Sequence, residues 1–158
     1  MSLRKILSWI PPRFSQLGSA DTVLAYGANM ASLNNSNVGS IVIGTPVYSP
    51  SAGNFDKAEA NAGTTVEVIG LAADTSISAS TSGNIQTSGV VTATTGQWDA
   101  VAGTSGGLTA GTVYYLDPAT AGKLTSTAPS TPGQYLVRVG KALSTTQLEL
   151  AISQPILL

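Results

Sequence analysis

From Ile41 onward, short runs of β-branched and aromatic residues alternate with turn residues, and this pattern constrains the fold most. The run Val113–Leu116 is followed by Asp117–Gly122, which has turn chemistry, with Pro after Asp and Gly at the exit. Lys123–Thr125 then returns as the partner strand of a hairpin. Apolar and polar residues alternate over 147–152, which predicts a strand with one buried face and one wetter face.

The rest of this region gives further strand predictions. Ile41–Ile43 and Val47–Tyr48 are apolar pieces on either side of Gly44–Pro46, and Thr64–Leu71 and Ile85–Thr94 are two further strands. About a quarter of the chain is Ser or Thr, which suits β-structure with an uncharged, hydroxyl-bearing surface. No internal repeat of fixed period is present. The sequence therefore predicts an all-β fold, a small β-barrel or β-sandwich.

The first 40 residues differ from the rest and are interpreted as an N-terminal arm or attachment segment, with residues 41–158 as the β-rich domain. Apolar residues recur at helical spacing over 3–10, which predicts at most a short helix that stops at Pro11–Pro12. A second possible helical piece covers Asp21–Leu33.

Composition and charge exclude several function classes. The chain has no Cys and no His, which removes thiol nucleophiles, Cys-based metal sites and the commonest general base. Only 9% of residues are charged and the net charge is −1, so the basic surface that nucleic acids require is missing. The sequence shows no membrane-spanning run and no signal peptide, and too few basic residues for membrane-surface binding. We expect no cofactor, no metal, no nucleic acid and no membrane partner.

Acidic residues give little support to catalysis. Asp74, Asp99, Asp117 and Glu149 are scattered through predicted loops and strands, whereas a glycosidase needs two carboxylates facing one substrate. Thr104–Gly107 has the composition of an anion cradle but lacks the P-loop lysine and spacing, so a mobile loop is expected. The chain is predicted not to be an enzyme and to have no catalytic residue.

Aromatic residues are candidates for a sugar-binding platform, with core packing as the alternative. In a strand, Tyr114 and Tyr115 point to opposite faces, so one ring packs inward and the other is available to a subunit interface or a ligand. Trp98, Tyr114 and Tyr115 are therefore the candidate surface or oligomer contacts, and Tyr135 is a further member of the aromatic set.

The N-terminal arm combines basic and aromatic residues near a chain end. Arg4, Lys5, Trp9, Arg13 and Phe14 are the candidate binding residues, because Arg and aromatic side chains are common anchors at protein interfaces. The alternatives are that this arm packs on its own domain, or that it is partly disordered.

The run from Gly63 to the C-terminal residue carries a resemblance to a known group. Its first features are Val68-Ile69-Gly70-Leu71, Gln86-Thr87-Ser88-Gly89-Val90 and Gln97-Trp98-Asp99. After these come Gly106-Gly107-Leu108-Thr109-Ala110-Gly111-Thr112-Val113-Tyr114-Tyr115-Leu116, Ala121-Gly122-Lys123-Leu124 and Gly133-Gln134-Tyr135-Leu136-Val137-Arg138-Val139-Gly140-Lys141-Ala142-Leu143. This pattern resembles one seen in tailed-bacteriophage capsid decoration (cement) proteins and in domains of phage fibre and tail proteins.

The resemblance implies a structural virion protein that binds the assembled phage capsid and stabilises it. It implies the major capsid protein as partner, self-association as a homotrimer, and a location on the outer capsid surface after synthesis in the bacterial cytoplasm. In that role, Arg4, Lys5 and Arg13 would pair with acidic capsid groups, and Trp9 and Phe14 would be anchors. The alternative is a tail- or fibre-associated module that binds host glycans.

Overall fold

The computed structural model describes residues 29–158. It consists of short strands and one helix, so the prediction of a small all-β fold is confirmed. The elements, in chain order, are β1 (Met30–Asn35), β2 (Ile41–Val42), β3 (Pro46–Tyr48), β4 (Asn54–Lys57), β5 (Gly70–Ala72), β6 (Ser76–Ile77), β7 (Ser82–Gln86), β8 (Val90–Thr92), α1 (Thr95–Ala102), β9 (Val113–Leu116), β10 (Leu124–Thr125), β11 (Tyr135–Leu136), β12 (Arg138–Ala142), β13 (Gln147–Leu150) and β14 (Ile156–Leu157).

The N-terminal half of the described chain forms a closed barrel with the strand order β1-β4-β3-β5-β7. The small β2–β6 pair lies beside it. Alternate side chains of these strands point inward, as the two-residue period requires. The barrel core is made of the buried side chains of Ile41, Val47, Phe55, Ala72, Ile77 and Ile85.

A second sheet has the order β10-β9-β12-β13-β8. One face of this sheet packs against α1 and against the loop that includes Val66, which forms a second and larger core. Trp98 and Tyr114 are the largest side chains in that core. The chain passes from the barrel to this sheet between β7 and β8. The opposite, outer face of the sheet carries the candidate site.

Helix α1 was not anticipated from the sequence, although its end signals are present. Thr94 accepts a hydrogen bond from the Gln97 amide and the Gln97 side chain accepts one from the Thr94 amide, which is a capping box. Gly103 ends the helix in the left-handed conformation with φ of 62°. The helix buries Trp98 and Val101 in the second core. Its eight residues are too few for a clear helical period in the sequence.

Several strand predictions are confirmed. Strands β2 and β3 lie on either side of Gly44–Thr45, and β9 and β10 form the predicted hairpin, with Leu116 opposite Leu124. Strand β13 buries Leu148 between two exposed residues, as the alternation indicated.

Other predictions were wrong in their extent. Only Gly70 and Leu71 of the strand predicted over 64–71 lie in β5. The Thr65 and Val68 amides donate instead to carbonyls of the same loop, those of Ala62 and Val66. The strand predicted over 85–94 is split by Thr87–Gly89, where Gly89 has φ of 82° and the chain changes sheets.

Of the first 40 residues, the structure describes only residues 29–40. Residues 30–33 of the predicted second helix lie in β1, which pairs with β4 and β7, because barrel pairing overrides the weak helical pattern. The β-structure therefore begins before residue 41. The helix predicted near the start lies outside the described residues. No helix within residues 29–158 is long and apolar enough to cross a membrane.

Candidate functional site

The outer face of the five-stranded sheet is the candidate functional site. Cross-strand partners in a sheet point to the same face, so the register of the strands shows which side chains share it. Tyr114 is buried on the inner face, which places Tyr115 on the outer one. The outer face is defined by seven side chains in two rows: Thr125, Tyr115 and Arg138 in one row, and Val113, Lys141, Glu149 and Val90 in the other.

Tyr115 and Arg138 lie side by side near one end of this face. Arg138 on β12 is the register partner of Tyr115 on β9, and Thr125 on β10 is the partner on the other side. Both Tyr115 and Arg138 are partly exposed. An Arg beside an aromatic ring is the pairing that interfaces favour, because the guanidinium stacks on ring faces and still donates to an acceptor.

One nitrogen of the Arg138 guanidinium lacks an acceptor within the described chain. This nitrogen, Nε, is buried and has no hydrogen-bond partner among residues 29–158. The backbone beside it is fixed, because the Arg138 amide donates to the Ser153 hydroxyl at 3.0 Å and its carbonyl accepts from the Ser153 amide at 2.9 Å. A buried donor without an acceptor is costly. Arg138 as a whole is partly exposed, so a partner's carboxylate would bind its terminal nitrogens and not the buried Nε.

The second row mixes apolar and charged side chains. Lys141 is the register partner of Val113 on one side and of Glu149 on the other, and Glu149 is the partner of Val90. Lys141 and Glu149 are exposed, and Val90 exposes 40% of its surface. The outer face therefore carries two basic groups and one acidic group, whereas the described chain as a whole has four basic and seven acidic residues.

Two of the three aromatic contacts predicted from the sequence are not available at the surface. Trp98 is 0% exposed and its Nε1 donates to the Thr146 carbonyl at 3.0 Å. Tyr114 is 1% exposed and its hydroxyl accepts from the Thr109 amide at 3.0 Å. Both are core residues with a satisfied polar atom, which is the usual state of buried Trp and Tyr. Tyr115 alone keeps the role proposed for this group.

The Gly-rich loop after α1 binds a carboxylate of its own chain, that of Asp99. The Asp99 carboxylate accepts from the Gly106 amide at 3.0 Å, the Gly107 amide at 2.8 Å and the Thr104 hydroxyl at 2.9 Å. These bonds, led by the one from Gly107, lower the pKa of Asp99. The Thr104 hydroxyl and the Gly106 and Gly107 amides are therefore occupied by Asp99, and these three donors are not available to an external phosphate.

The other carboxylates that the sequence singled out also have structural or surface positions. Asp117 accepts from the Ala119 amide at 2.6 Å and the Thr120 amide at 3.1 Å, which is an Asx turn inside the β9–β10 hairpin. Asp74 accepts from the Asn84 amide and side chain. Glu149 belongs to the outer face. Within residues 29–158, no three metal-ligating side chains come together to hold an ion.

A shallow cleft of about 280 Å³ lies between the end of α1 and the β9–β10 hairpin. Lys123 crosses it and donates to the Ala100 carbonyl at the end of the helix. That contact satisfies a terminal carbonyl and places a positive charge at the negative end of the helix. The cleft has no aromatic side chain in its lining, which is formed by Ala100, Val101, Ala102, Gly103, Asp117, Thr120, Lys123, Leu124 and Thr125.

The arm residues Arg4, Lys5, Trp9, Arg13 and Phe14 lie outside the described residues. Sequence reasoning missed Arg138 as a site residue. The signal for it was the alternation Val137-Arg138-Val139, in which a charged residue between two apolar ones faces outward. Its position beside Tyr115 required the register of β9 and β12.

Comparisons with protein-family models and with curated proteins find no match for this sequence. The outer face is therefore interpreted from its own chemistry.

Proposed function

We propose that this chain is a structural virion protein, a decoration protein that binds the assembled capsid of a tailed phage and stabilises it. The observation that carries the proposal is the Tyr115–Arg138 pair on an outer sheet face. The resemblance of the run from Gly63 onward to phage decoration proteins and to domains of phage fibre and tail proteins supports it. The partner surface is part of the major capsid protein and presents a carboxylate to Arg138 and an apolar contact to Tyr115 and Val113.

The size of the outer face explains why the arm is needed as a second contact. The five strands have two to five residues each, and at about 4.8 Å between strands and about 3.3 Å per residue they give a footprint of about 300 Å². A stable complex of ordinary size buries about 800 Å² on each partner. We propose that the arm residues Arg4, Lys5, Trp9, Arg13 and Phe14 supply the rest.

Self-association adds a further increment of binding. A homotrimer fits a threefold position of the capsid lattice, because each subunit then meets an identical capsid surface. Three linked copies bind more tightly than one, since the second and third contacts are intramolecular.

The alternative function, a tail- or fibre-associated module that binds host glycans, uses the Tyr115 ring as a stacking platform. The cleft beside α1 gives this alternative less support, because no aromatic side chain lines it. Binding of an isolated saccharide by the chain, abolished by Tyr115→Ser, is the result that would favour it.

The test is to mix the purified protein with capsids that lack it, and to image the particles by electron microscopy. Density at regular positions on the shell is expected, and its local symmetry gives the number of copies. The variant Arg138→Gln should weaken capsid binding by about tenfold or more, because a hydrogen bond to a charged group contributes about 1.5–3 kcal/mol.

The matched control is Lys57→Gln, which removes one partly exposed charge from β4 of the barrel. The stem of Lys57 lies near Gly122 of the β9–β10 hairpin, but Lys57 is not one of the seven side chains of the outer face. This variant should bind as the unchanged protein does. Bare capsids, or equal losses from Arg138→Gln and Lys57→Gln, would refute the proposal. Undiminished capsid binding after deletion of residues 1–15 would refute the role of the arm.

A further inference from the structure

Strand β12 changes its alternation between two outward-facing basic residues. Arg138 and Lys141 are three residues apart, so a regular strand would turn them to opposite faces of the sheet. The structure places both on the outer face, since Val139 before the change and Ala142 after it are both buried. The alternation of β12 therefore shifts by one residue within the strand.

A β-bulge in β12 produces this shift. Arg138 is the register partner of Tyr115, but the partner of the adjacent Tyr114 is Gly140, so two steps along β12 stand against one step along β9. Gly140 suits this position because a Cβ atom there would overlap the Glu149 carbonyl oxygen of β13. The bulge is what allows both basic side chains to lie outside the core.

Residues 151–153 hold the bulge from the side of β13. The Ala151 amide donates to the Val139 carbonyl and the Ser153 amide donates to the Arg138 carbonyl, both at 2.9 Å. The Ser153 hydroxyl accepts from the Arg138 amide at 3.0 Å. Strand β13 has already ended here, so a side chain supplies the acceptor for this amide. Ser153 is therefore the residue that fixes the backbone of Arg138.

The fixed backbone sets where the Arg138 guanidinium points. Its Nε is buried although the residue as a whole is partly exposed, so the outer end of the side chain is the part that a partner can reach. Lys141 is exposed on the same strand, and three residues at about 3.3 Å put the two positive groups about 10 Å apart. Glu149 is the register partner of Lys141, so among the seven outer-face side chains the acidic one stands beside Lys141 and not beside Arg138.

The outer face is basic in a chain that is otherwise acidic. Two of the four basic residues within 29–158 lie on it, against one of the seven acidic residues. A second copy of this face would set a net positive surface against another one, which is unfavourable. An acidic element of a different protein is attracted instead, and Tyr115 adds an aromatic surface beside it.

We infer that the β12 bulge, fixed by Ser153, turns Arg138 and Lys141 to the outer face as a pair, and that the partner element bound there carries two carboxylates about 10 Å apart. The inference rests on the proposed function and deepens it, because it says which chemistry the capsid surface presents. Ser153 is a positioning residue, which acts through Arg138 and not through a contact of its own with the partner.

The first measurement uses the full chain without capsids. Exchange of the Arg138 Nε–H hydrogen with water is followed by NMR, and the signal is assigned by its loss in Arg138→Lys. Burial of Nε predicts slow exchange. Ser153→Ala should raise the rate by up to about tenfold, the factor that one hydrogen bond contributes, whereas Ser153→Thr keeps the hydroxyl and should not. An unchanged rate in Ser153→Ala would overturn the role of Ser153.

The second measurement compares the affinity of the variants for capsids that lack the protein. Ser153→Ala should weaken binding by about two- to tenfold, and Ser153→Thr should restore it. In an Arg138→Gln background, Ser153→Ala should have no further effect, because it acts through that side chain. Lys141→Gln should weaken binding by about two- to fivefold, as the loss of one exposed ion pair does, and Lys57→Gln is the control that should not.

The outcomes separate this inference from the proposed function. Weaker binding by Arg138→Gln with undiminished binding by Lys141→Gln would overturn the second carboxylate and leave the proposed function standing. The same loss from Ser153→Ala with and without Arg138 would show a general effect on the fold and overturn the positioning role. Bare capsids would refute the proposed function and the acidic partner element together, while the exchange rate of the Arg138 Nε–H would still decide the role of Ser153.

Discussion

Gly44 is the position where one added methyl group should do the most damage. It lies between β2 and β3 with φ of 84°, a conformation that L-residues with a side chain adopt at a cost. A Cβ atom there would lie 2.8 Å from Cζ3 of Trp98 and within 3.3 Å of two further ring carbons. Trp98 is fully buried and held by its bond to Thr146, so the ring has little room to move.

The expected destabilisation combines two terms. The left-handed backbone costs about 1–2 kcal/mol for Ala, and overpacking against the ring costs a further 1–3 kcal/mol, approximately. Gly44→Ala should therefore lower the free energy of unfolding by about 3 kcal/mol. Gly53→Ala is the matched control, because Gly53 has φ of 78° but nothing lies within 4 Å of its Cβ position. It should lose only the backbone term, about 1 kcal/mol.

The assay is urea unfolding at equilibrium, followed by tryptophan fluorescence and by circular dichroism. In a thermal melt of a chain of this length, a loss of 1 kcal/mol in the free energy of unfolding lowers the Tm by about 2–4 °C. The Tm of Gly44→Ala should therefore lie roughly 10 °C below that of the unchanged protein. Equal losses from Gly44→Ala and Gly53→Ala would show that Trp98 yields to the methyl group. The Trp98 ring would then be held less rigidly than its burial and its bond to Thr146 indicate.

Three further predictions concern stability. Because the pKa of Asp99 is lowered in the folded protein, its carboxylate stabilises the fold at pH values above the usual Asp pKa, and this effect is lost as the pH falls through the folded pKa. The difference in free energy of unfolding between the unchanged protein and Asp99→Asn, measured by urea unfolding, should therefore shrink between neutral pH and a pH of about 3. Asn35→Ala should cost about 1–3 kcal/mol in the same assay, because it removes a buried bond to the Ile77 carbonyl and a part-buried bond to the Gly39 carbonyl. Thr94→Ala should lower the Tm by removing the capping box of α1, at a cost of about 1 kcal/mol.

The outer face shows how far sequence reasoning reaches a binding surface. The two-residue period of a strand implied that Tyr114 and Tyr115 face opposite ways, and the structure places Tyr114 inside and Tyr115 outside. The same rule places Arg138 outside, between Val137 and Val139. The rule does not say that these two side chains are neighbours. Their proximity depends on a pairing between β9 and β12, which includes a register shift next to Arg138.

Trp98 shows the opposite case, in which a residue type suggested a surface role that packing excludes. An aromatic residue followed by a Gly-rich loop is compatible with an exposed contact. The capping box at Thr94 and Gln97 was present in the sequence as a helix signal, but the helix is too short to show a period. The burial of Trp98 follows from the docking of α1 on the inner face of the second sheet.

Local chemistry, read from the sequence by itself, determined the all-β class, the β9–β10 hairpin and the alternating strand β13. These features depend on residues close together in the chain, where turn geometry and side-chain period act directly. Only the tertiary structure decided that the chain divides at Thr87–Gly89 into a barrel and a second sheet, and that Asp99 fills the Gly-rich loop. It also decided that Arg138 lies beside Tyr115. The physical reason is that these contacts join residues far apart in sequence, whose pairing is selected by the burial of two whole cores rather than by any local pattern.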